Sequence, residues 1–162
     1  MRTIWPALLV LAALPAAAGE DCAAVDAATV REIATPRRTE VRLTKTGGGD
    51  IAMTIVITGG KWYRRDGPGA AWEVSGFDPA KAKADYRKLV ADRHQTCRPD
   101  GSETLDGVAA DIFMVRRDGG YSKRMWIARG SGLPLRTEDD YASGMHGVEV
   151  FDYADVAPPV DH

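Results

Sequence analysis

The chain has 162 residues, of which 44% are hydrophobic and 27% charged, and its formal net charge is −2. A chain of this length fits one domain, which can bury roughly 70% of its unfolded surface. The small acidic excess excludes the basic surface that proteins use to bind nucleic acid or an anionic membrane.

The first 18 residues have the layout of a secretory signal. Arg2 is followed by an apolar run from Ile4 to Leu14 and by small residues that end at Ala18. This layout predicts cleavage after Ala18, and the run is shorter than the roughly 20 residues that span a bilayer, so a permanent anchor is the weaker interpretation. We therefore expect a single exported, soluble domain of residues 19–162. Cleavage removes one cation, so 20 Lys and Arg face 23 Asp and Glu.

The exported part contains both cysteines of the chain, Cys22 and Cys97. In an oxidising compartment this pair predicts a disulfide, with two separate free thiols as the alternative. Such a bond would tie the start of the mature chain to the end of a helix.

The first half of the exported chain predicts a helix, a hairpin, two short strands and a second helix. Alanine-rich residues 23–34 have apolar residues near helical spacing, and Pro36 stops them. Period-two alternation on both sides of TGGGD then predicts a hairpin, and KWYRR and AWEV predict two short strands. Asp78-Pro79 supplies an N-cap and a first-turn proline for a surface helix that runs to His94.

The second half predicts strands throughout. We interpret RPDGSE after Cys97 as a polar connection. The strand segments after it are ADIFMVRR, YSKRMWIA, LPLRTEDDY and VEVFDYADV. The sum is an α+β chain with about eight or nine antiparallel strands and two helices.

One predicted hairpin, from Met125 to Tyr141, has apolar residues on both faces. With a loop at 129–132, Trp126 would face Leu135, and Lys123 could pair with Glu138 farther out. In an antiparallel sheet with one face in solvent, apolar and polar residues should alternate along each strand. The second apolar face of this hairpin must therefore pack against another part of the protein or a ligand. A curved sheet covered by helices would need this pattern, and a thick ordinary core would produce it too.

Several segments together resemble the LolA-like superfamily of bacterial periplasmic proteins, whose namesake is the lipoprotein-sorting carrier. These segments are GGKWYR with AWEV, LDGVAADIF, MWIARGSGLPLRTE and VEVFDYADVAPP, and the similarity covers most of residues 39–159. The resemblance implies a curved, open half-barrel sheet with the two helices packed across it, enclosing an apolar cavity.

The function implied by this resemblance is that of a soluble, monomeric periplasmic binding protein for an acyl chain or another hydrophobic ligand, related to outer-membrane lipoprotein sorting and transport. It implies no catalysis and no cofactor. The alternative is an interaction module of the cell envelope that has a filled core and binds other proteins. The residues expected to line the cavity, each of which could also be ordinary core, are Met53, Ile55, Ile57, Trp62, Trp72, Met114, Trp126 and Leu135.

Residue patterns for catalysis or metal binding are weak. The three histidines, His94, His146 and His162, have no metal-ligand spacing, and a strand at 146–149 would place His146 and Glu149 on opposite faces. The serines beside glycines lack the strand-to-helix setting of a nucleophile elbow. TGGGD is followed by a strand rather than a helix, so it indicates a turn rather than a phosphate loop.

Overall fold

The computed structural model describes residues 22–160, so the predicted signal segment 1–18 lies outside the described residues. The described chain forms two helices and nine strands. In chain order they are α1 (Ala23–Ala34), β1 (Arg37–Lys45), β2 (Asp50–Thr58), β3 (Lys61–Asp66), β4 (Glu73–Gly76), α2 (Pro79–Asp92), β5 (Thr96–Leu105), β6 (Val108–Arg117), β7 (Tyr121–Ala128), β8 (Pro134–Asp140) and β9 (Met145–Asp152).

All nine strands belong to one antiparallel sheet with the order β4-β3-β2-β1-β9-β8-β7-β6-β5. Two meanders, β1–β4 and β5–β9, meet where the first strand pairs with the last. The sheet is open, with β4 and β5 as its edges, and α2 connects these two edge strands. The predicted fold, a curved α+β half-barrel with two helices, is confirmed.

The helices have different roles in the fold. Helix α1 buries Val25 and Ala28 and packs on β7 and β8, whereas α2 buries none of its residues and packs on α1. The Asp78 side chain caps α2 as predicted, because its Oδ1 accepts hydrogen bonds from the backbone N–H groups of Ala80 and Lys81. Helix α2 ends at Asp92, two residues before the predicted end.

The expected polar connection after Cys97 is wrong, because these residues form the edge strand β5. An edge strand tolerates polar residues on both faces, and this strand also carries Pro99 and a register shift before Gly101, whose φ is +114°. The predicted disulfide between Cys22 and Cys97 is present. It joins the start of α1 to this strand rather than to the end of a helix.

The β7–β8 hairpin has the predicted faces but a shifted register. Trp126 pairs with Arg136 and Ile127 with Pro134, so the extra residue in β8 is Leu135. This shift pairs Lys123 with Asp139 across the strands, and their side chains form an ion pair of 3.3 Å. The expected pair of Lys123 with Glu138 is therefore wrong, since a bulge cannot be read from alternation alone.

Candidate functional site

The two faces of the sheet can be followed from strand to strand, because residues that pair across antiparallel strands lie on the same face. Helix α1 packs Val25 and Ala28 against Val115, Met125 and Ile127. We call this face the helix side and the other face the reverse side. The row that contains Met125 continues through Thr137, Glu149 and Val41 to Met53.

The part of the helix side beneath α1 is filled. Val25, Ala28, Cys97, Val115, Met125 and Ile127 form one buried cluster, and each is at most 8% exposed. The disulfide lies at its edge, where Cys22 packs against the same cluster. This cluster is a closed core.

A belt of polar residues crosses the middle of the helix side. We define the polar belt as Glu32, Arg37, Thr39, Lys123, Thr137, Asp139 and Glu149. Arg37 Nε lies 3.0 Å from Glu32 Oε1, and the Thr137 hydroxyl donates to Asp139 Oδ2 at 2.9 Å and to Glu149 Oε2 at 3.3 Å. Tyr121 also donates to Asp139, which is only 2% exposed. Hydrogen bonds therefore hold a charged network inside the fold.

Burial in this belt shifts the proton affinities of two carboxyl groups. Burial raises the pKa of Glu32, and the Arg37 guanidinium partly opposes the shift. Burial also raises the pKa of Glu149, while the Lys123 ammonium lowers it and the Asp139 carboxylate raises it further. Glu149 forms no ion pair within 4 Å with any side chain between Cys22 and Val160, so its charged form is the least compensated of the belt.

Beyond the belt, the helix side of β1, β2 and β3 carries a group of apolar residues, and Arg64 and Asp66 of β3 lie on the same side. We define the β1–β3 patch as the apolar residues of these strands on this side, which are Val41, Leu43, Ile51, Met53, Ile55, Ile57 and Trp62. Val41 and Ile57 are each 7% exposed, whereas Met53, Ile55 and Trp62 are half-buried and Ile51 is 51% exposed. The patch is therefore an apolar surface apart from the closed core, and it is only partly covered.

The reverse side holds a second, smaller core around Trp126. Trp126 is 4% exposed and packs with Ala110 and Ile112, while Leu105 and Leu135 contact this cluster from its edge. The indole N–H donates to Glu103 Oε2 at 2.9 Å. This side chain has its hydrogen bond and its packing satisfied.

The eight residues predicted to line one cavity are divided between the two faces. Met53, Ile55, Ile57 and Trp62 lie together in the β1–β3 patch. Met114, Trp126 and Leu135 lie on the reverse side, and Trp72 lies in the loop before β4, where it borders a reverse-side cavity with Arg65. Alternation along a strand shows which of its residues share a face. It does not show which residues of a distant strand lie on that same face of the sheet.

The belt is the part of the site that residue patterns missed. Its members come from α1, β1, β7, β8 and β9, so no local spacing joins them, and Asp139 and Glu149 resemble solvated strand residues in the sequence. His146 and Glu149 lie on opposite faces as predicted, and His146 Nδ1 lies 2.8 Å from Asp140 Oδ1. Among residues 22–160 no three His, Cys, Asp or Glu side chains are grouped so that they could hold a metal ion.

Comparison with known family models gives no match, and no curated protein matches the chain. Solved structures do match. MucB in complex with MucA(peri) is similar with a TM-score of 0.53 and 13% identity, over 85% of this chain and 56% of that one. The structure of MucB alone matches with a TM-score of 0.50 and 16% identity, over 85% of this chain and 58% of that one. The chain thus spans less than two thirds of the length of the MucB chains.

A LolA superfamily protein from Nitrosomonas europaea also matches, with a TM-score of 0.29 and 9% identity over 73% of this chain and 84% of that one. At 13% and 16% identity, the similarity to the MucB structures is a likeness of fold alone. No helix within residues 22–160 has the length and apolar character needed to cross a membrane.

Proposed function

We propose that the chain is a non-catalytic binding protein of the bacterial periplasm and that the β1–β3 patch holds its hydrophobic ligand. The observation that carries this proposal is the partial exposure of the patch on the same face as a closed core. Met53, Ile55 and Trp62 are half-buried, while Val115 and Met125 beneath α1 are 0% and 3% exposed. A contiguous exposed apolar surface with a polar rim is typical of a binding site.

The composition of the patch suits a pliable ligand. Met53 has an unbranched, polarisable side chain that adapts to irregular shapes, and Trp62 offers a broad apolar face. Covering apolar surface contributes about 25 cal/mol per Å², so the burial of a few such side chains is worth several kcal/mol. An acyl chain supplies the required apolar area without needing hydrogen bonds from the strands.

Charged residues border the patch and would orient an occupant. Glu149 of the polar belt pairs with Val41 on one border, and Asp66 pairs with Met53 on the other. Arg64 donates to Asp66 Oδ1 and Oδ2 at 2.8 and 2.9 Å, so the charges of the outer border are already paired. A hydrophobic ligand would thus lie between two polar borders, along the strands.

A second candidate is an envelope protein-interaction module in which the patch receives an apolar segment of a partner. The similarity to MucB favours it, because one matching structure contains MucB in complex with MucA(peri). In this case the closed core beneath α1 would be the scaffold and the patch the docking surface. Both candidates place the occupant on the same residues.

Binding of a neutral apolar fluorophore such as N-phenyl-1-naphthylamine tests the shared part of the proposal. We expect the mature protein to bind it and Met53→Asp to weaken binding by about 10-fold or more, since a charge in the contact costs well over 1.4 kcal/mol. Val150→Asp is the matched control, because Val150 is 47% exposed on the reverse side. A wild-type protein that does not bind the probe, or equal losses in both variants, would contradict the site.

Native mass spectrometry of the protein purified from its own host separates the two candidates. A stoichiometric mass increment of a lipid or other small molecule, absent in Met53→Asp, supports the hydrophobic-ligand function. A polypeptide that remains bound, and is lost in the same variant, supports the interaction module instead.

A further inference from the structure

A second cavity lies on the reverse side, away from the β1–β3 patch. It is formed between strands β2 and β3 and the segment that follows β9, and its volume is about 450 Å³. Four side chains of the sheet and its loops line it, Arg38, Val56, Arg65 and Trp72, and the segment from Asp152 to Val160 closes it. This volume is within the range of small-molecule sites.

The segment after β9 crosses the sheet without joining it as a strand. The Ala154 N–H donates to Asp152 Oδ1 at 2.9 Å, which turns the chain at the end of β9, and the Thr58 hydroxyl donates to the carbonyl of Val156 at 3.4 Å. Pro158 and Pro159 follow, and they have no N–H group to give to a strand ladder. The segment is therefore held at its start and leaves space between itself and the sheet.

Among the described residues that line this cavity, Arg65 is the cation without an ion pair. Its guanidinium lies over the Trp72 ring, 4.7 Å from the ring centre, and its Nε is buried. No residue between Cys22 and Val160 gives Arg65 a hydrogen bond or an ion pair. A buried donor without an acceptor is costly, and each such group in a native fold needs an explanation.

Two of the other charged groups that line the cavity already have partners. Arg38 Nε lies 2.8 Å from Glu40 Oε1, and Asp152 accepts from the Ala154 N–H. Thr54, which pairs with Arg65 across the strands, donates its hydroxyl to Glu40 Oε2 at 2.9 Å. Glu40, the carboxylate of this cross-strand row, thus already accepts from Arg38 and Thr54.

Two other arginines near Arg65 or near a tryptophan ring do have carboxylate partners. Arg64, the preceding residue, forms two hydrogen bonds with Asp66 on the helix side. Arg136 also lies near a tryptophan ring and has a buried Nε without a partner, but its Nη2 donates to Glu138 at 2.5 Å. Within residues 22–160, Arg65 is left to find its anion outside the chain.

We infer that this cavity binds an amphiphilic monoanion. A carboxylate, or a phosphate diester with its single charge, accepts from the Arg65 guanidinium, whose planar fork suits such an oxyanion. The apolar part of the ligand lies along Trp72, Val56 and the two prolines of the closing segment. Asp152 and Asp155 also line the cavity, so a second negative charge on the ligand is disfavoured.

Isothermal titration of the mature protein with octanoate tests this site. We expect octanoate to bind, and octanol and octylammonium to bind at least about 10-fold more weakly, because they offer no anion to Arg65. Suberate, a dianion of the same chain length, should also bind more weakly than octanoate. Methyl octyl phosphate, a diester with a single negative charge, in place of octanoate then distinguishes a phosphate ligand from a carboxylate ligand. Equal binding of octanoate and octanol would overturn the inference.

Two arginine variants test whether Arg65 itself binds the anion. Arg65→Gln should weaken octanoate binding by about 10-fold or more and leave octanol binding unchanged, since only the charged hydrogen bond is lost. Arg42→Gln is the control, because Arg42 lies on the same face and borders a different groove. Both variants must retain the circular dichroism spectrum of the wild type. An unchanged octanoate affinity in a folded Arg65→Gln would contradict the site.

Tryptophan fluorescence distinguishes octanoate binding in this cavity from octanoate binding on the β1–β3 patch. Octanoate should change the emission of Trp72, so Trp72→Phe removes the signal and Trp62→Phe retains it. The opposite outcome places octanoate on the patch and overturns the inference about the cavity. Loss of apolar-probe binding in Met53→Asp with normal octanoate binding would confirm two separate sites.

Discussion

The helix side of the sheet is closed over β7 and only partly covered over β2. Met125 and Met53 occupy the same row of cross-strand neighbours, yet Met125 is 3% exposed and Met53 is half-buried. The difference comes from the helices, because α1 packs on β7 and β8 and α2 packs on α1. An apolar strand face therefore shows where a surface can bind, while the position of the helices decides whether the chain itself fills it.

The polar belt separates these two regions. Within the belt, Glu32 near the end of α1 forms an ion pair of 3.0 Å with Arg37 of β1. Buried polar groups fix one arrangement because every alternative leaves them unpaired. The belt thus holds the closed core in place and leaves the β1–β3 patch accessible.

The largest expected effect on stability comes from removing the disulfide at the edge of the closed core. In Cys22→Ala with Cys97→Ala, we expect the free energy of unfolding to fall by about 4 kcal/mol, because the bond closes a loop with a sequence separation of 75 residues. Urea denaturation measures it. Probe binding to the patch should persist while the protein is folded, and its loss in the folded double variant would contradict the separation of the two regions.

Truncation of the two methionines tests the comparison directly. Met125→Ala should lower the free energy of unfolding by about 3 kcal/mol, since it leaves a cavity in a closed core. Met53→Ala should cost less than about 1 kcal/mol, because its side chain is half-buried. Equal losses measured by urea denaturation would show that the β1–β3 patch is ordinary core.

The polar belt should make stability depend on pH. Burial raises the pKa of Glu149 above its usual 4.5, so the folded state binds this proton more tightly than the unfolded state does. The stability linked to this proton is fully present below pH 4.5 and is lost as the pH rises through the folded pKa. A glutamine at position 149 does not titrate. The free energy of unfolding of the Glu149→Gln variant, relative to that of the wild type, should therefore increase from pH 4 to pH 7.

Urea denaturation at several pH values measures this difference, and Glu73→Gln at the exposed sheet edge is the charge-matched control. A stability difference for Glu149→Gln that stays constant with pH, or that decreases as the pH rises, would contradict the account of the belt.

A small effect should come from α2. Asp78→Ala removes the cap of a helix with no buried residue, so we expect a loss of about 1 kcal/mol and no change in probe binding. Differential scanning calorimetry measures the loss. A change in probe affinity would show that α2 shapes the patch, which its packing on α1 does not predict.

Local chemistry predicted much of the fold. Alternation identified the hairpin strands, the Asp78 cap fixed the start of α2, and Pro134 stands at the first position of β8 as a residue without an N–H should. Strand β5 was missed because an edge strand need not alternate, and the partner of Lys123 was missed because Leu135 adds a residue to β8.

The candidate site was predicted only in part, because it depends on nonlocal pairing. The four patch residues follow from period two within β2 and β3, but Trp126 and Met53 lie on opposite faces through strand pairings that no local pattern encodes. The polar belt is built from five elements, and the surroundings of Arg65 also come from several elements that are distant in the sequence. Charged residues look alike in a sequence whether they are solvated or buried.

Methyl NMR of the mature protein labelled with ¹³C at its methionine methyl groups tests the central comparison most directly. A neutral paramagnetic lipid, methyl 16-doxylstearate, is added, and broadening of each methyl signal reports its proximity to the bound probe. We predict that the Met53 signal broadens first, while the Met125 signal, beneath α1, remains sharp at the same probe concentration. Broadening of Met125 before Met53 would place the ligand under α1 and contradict the account.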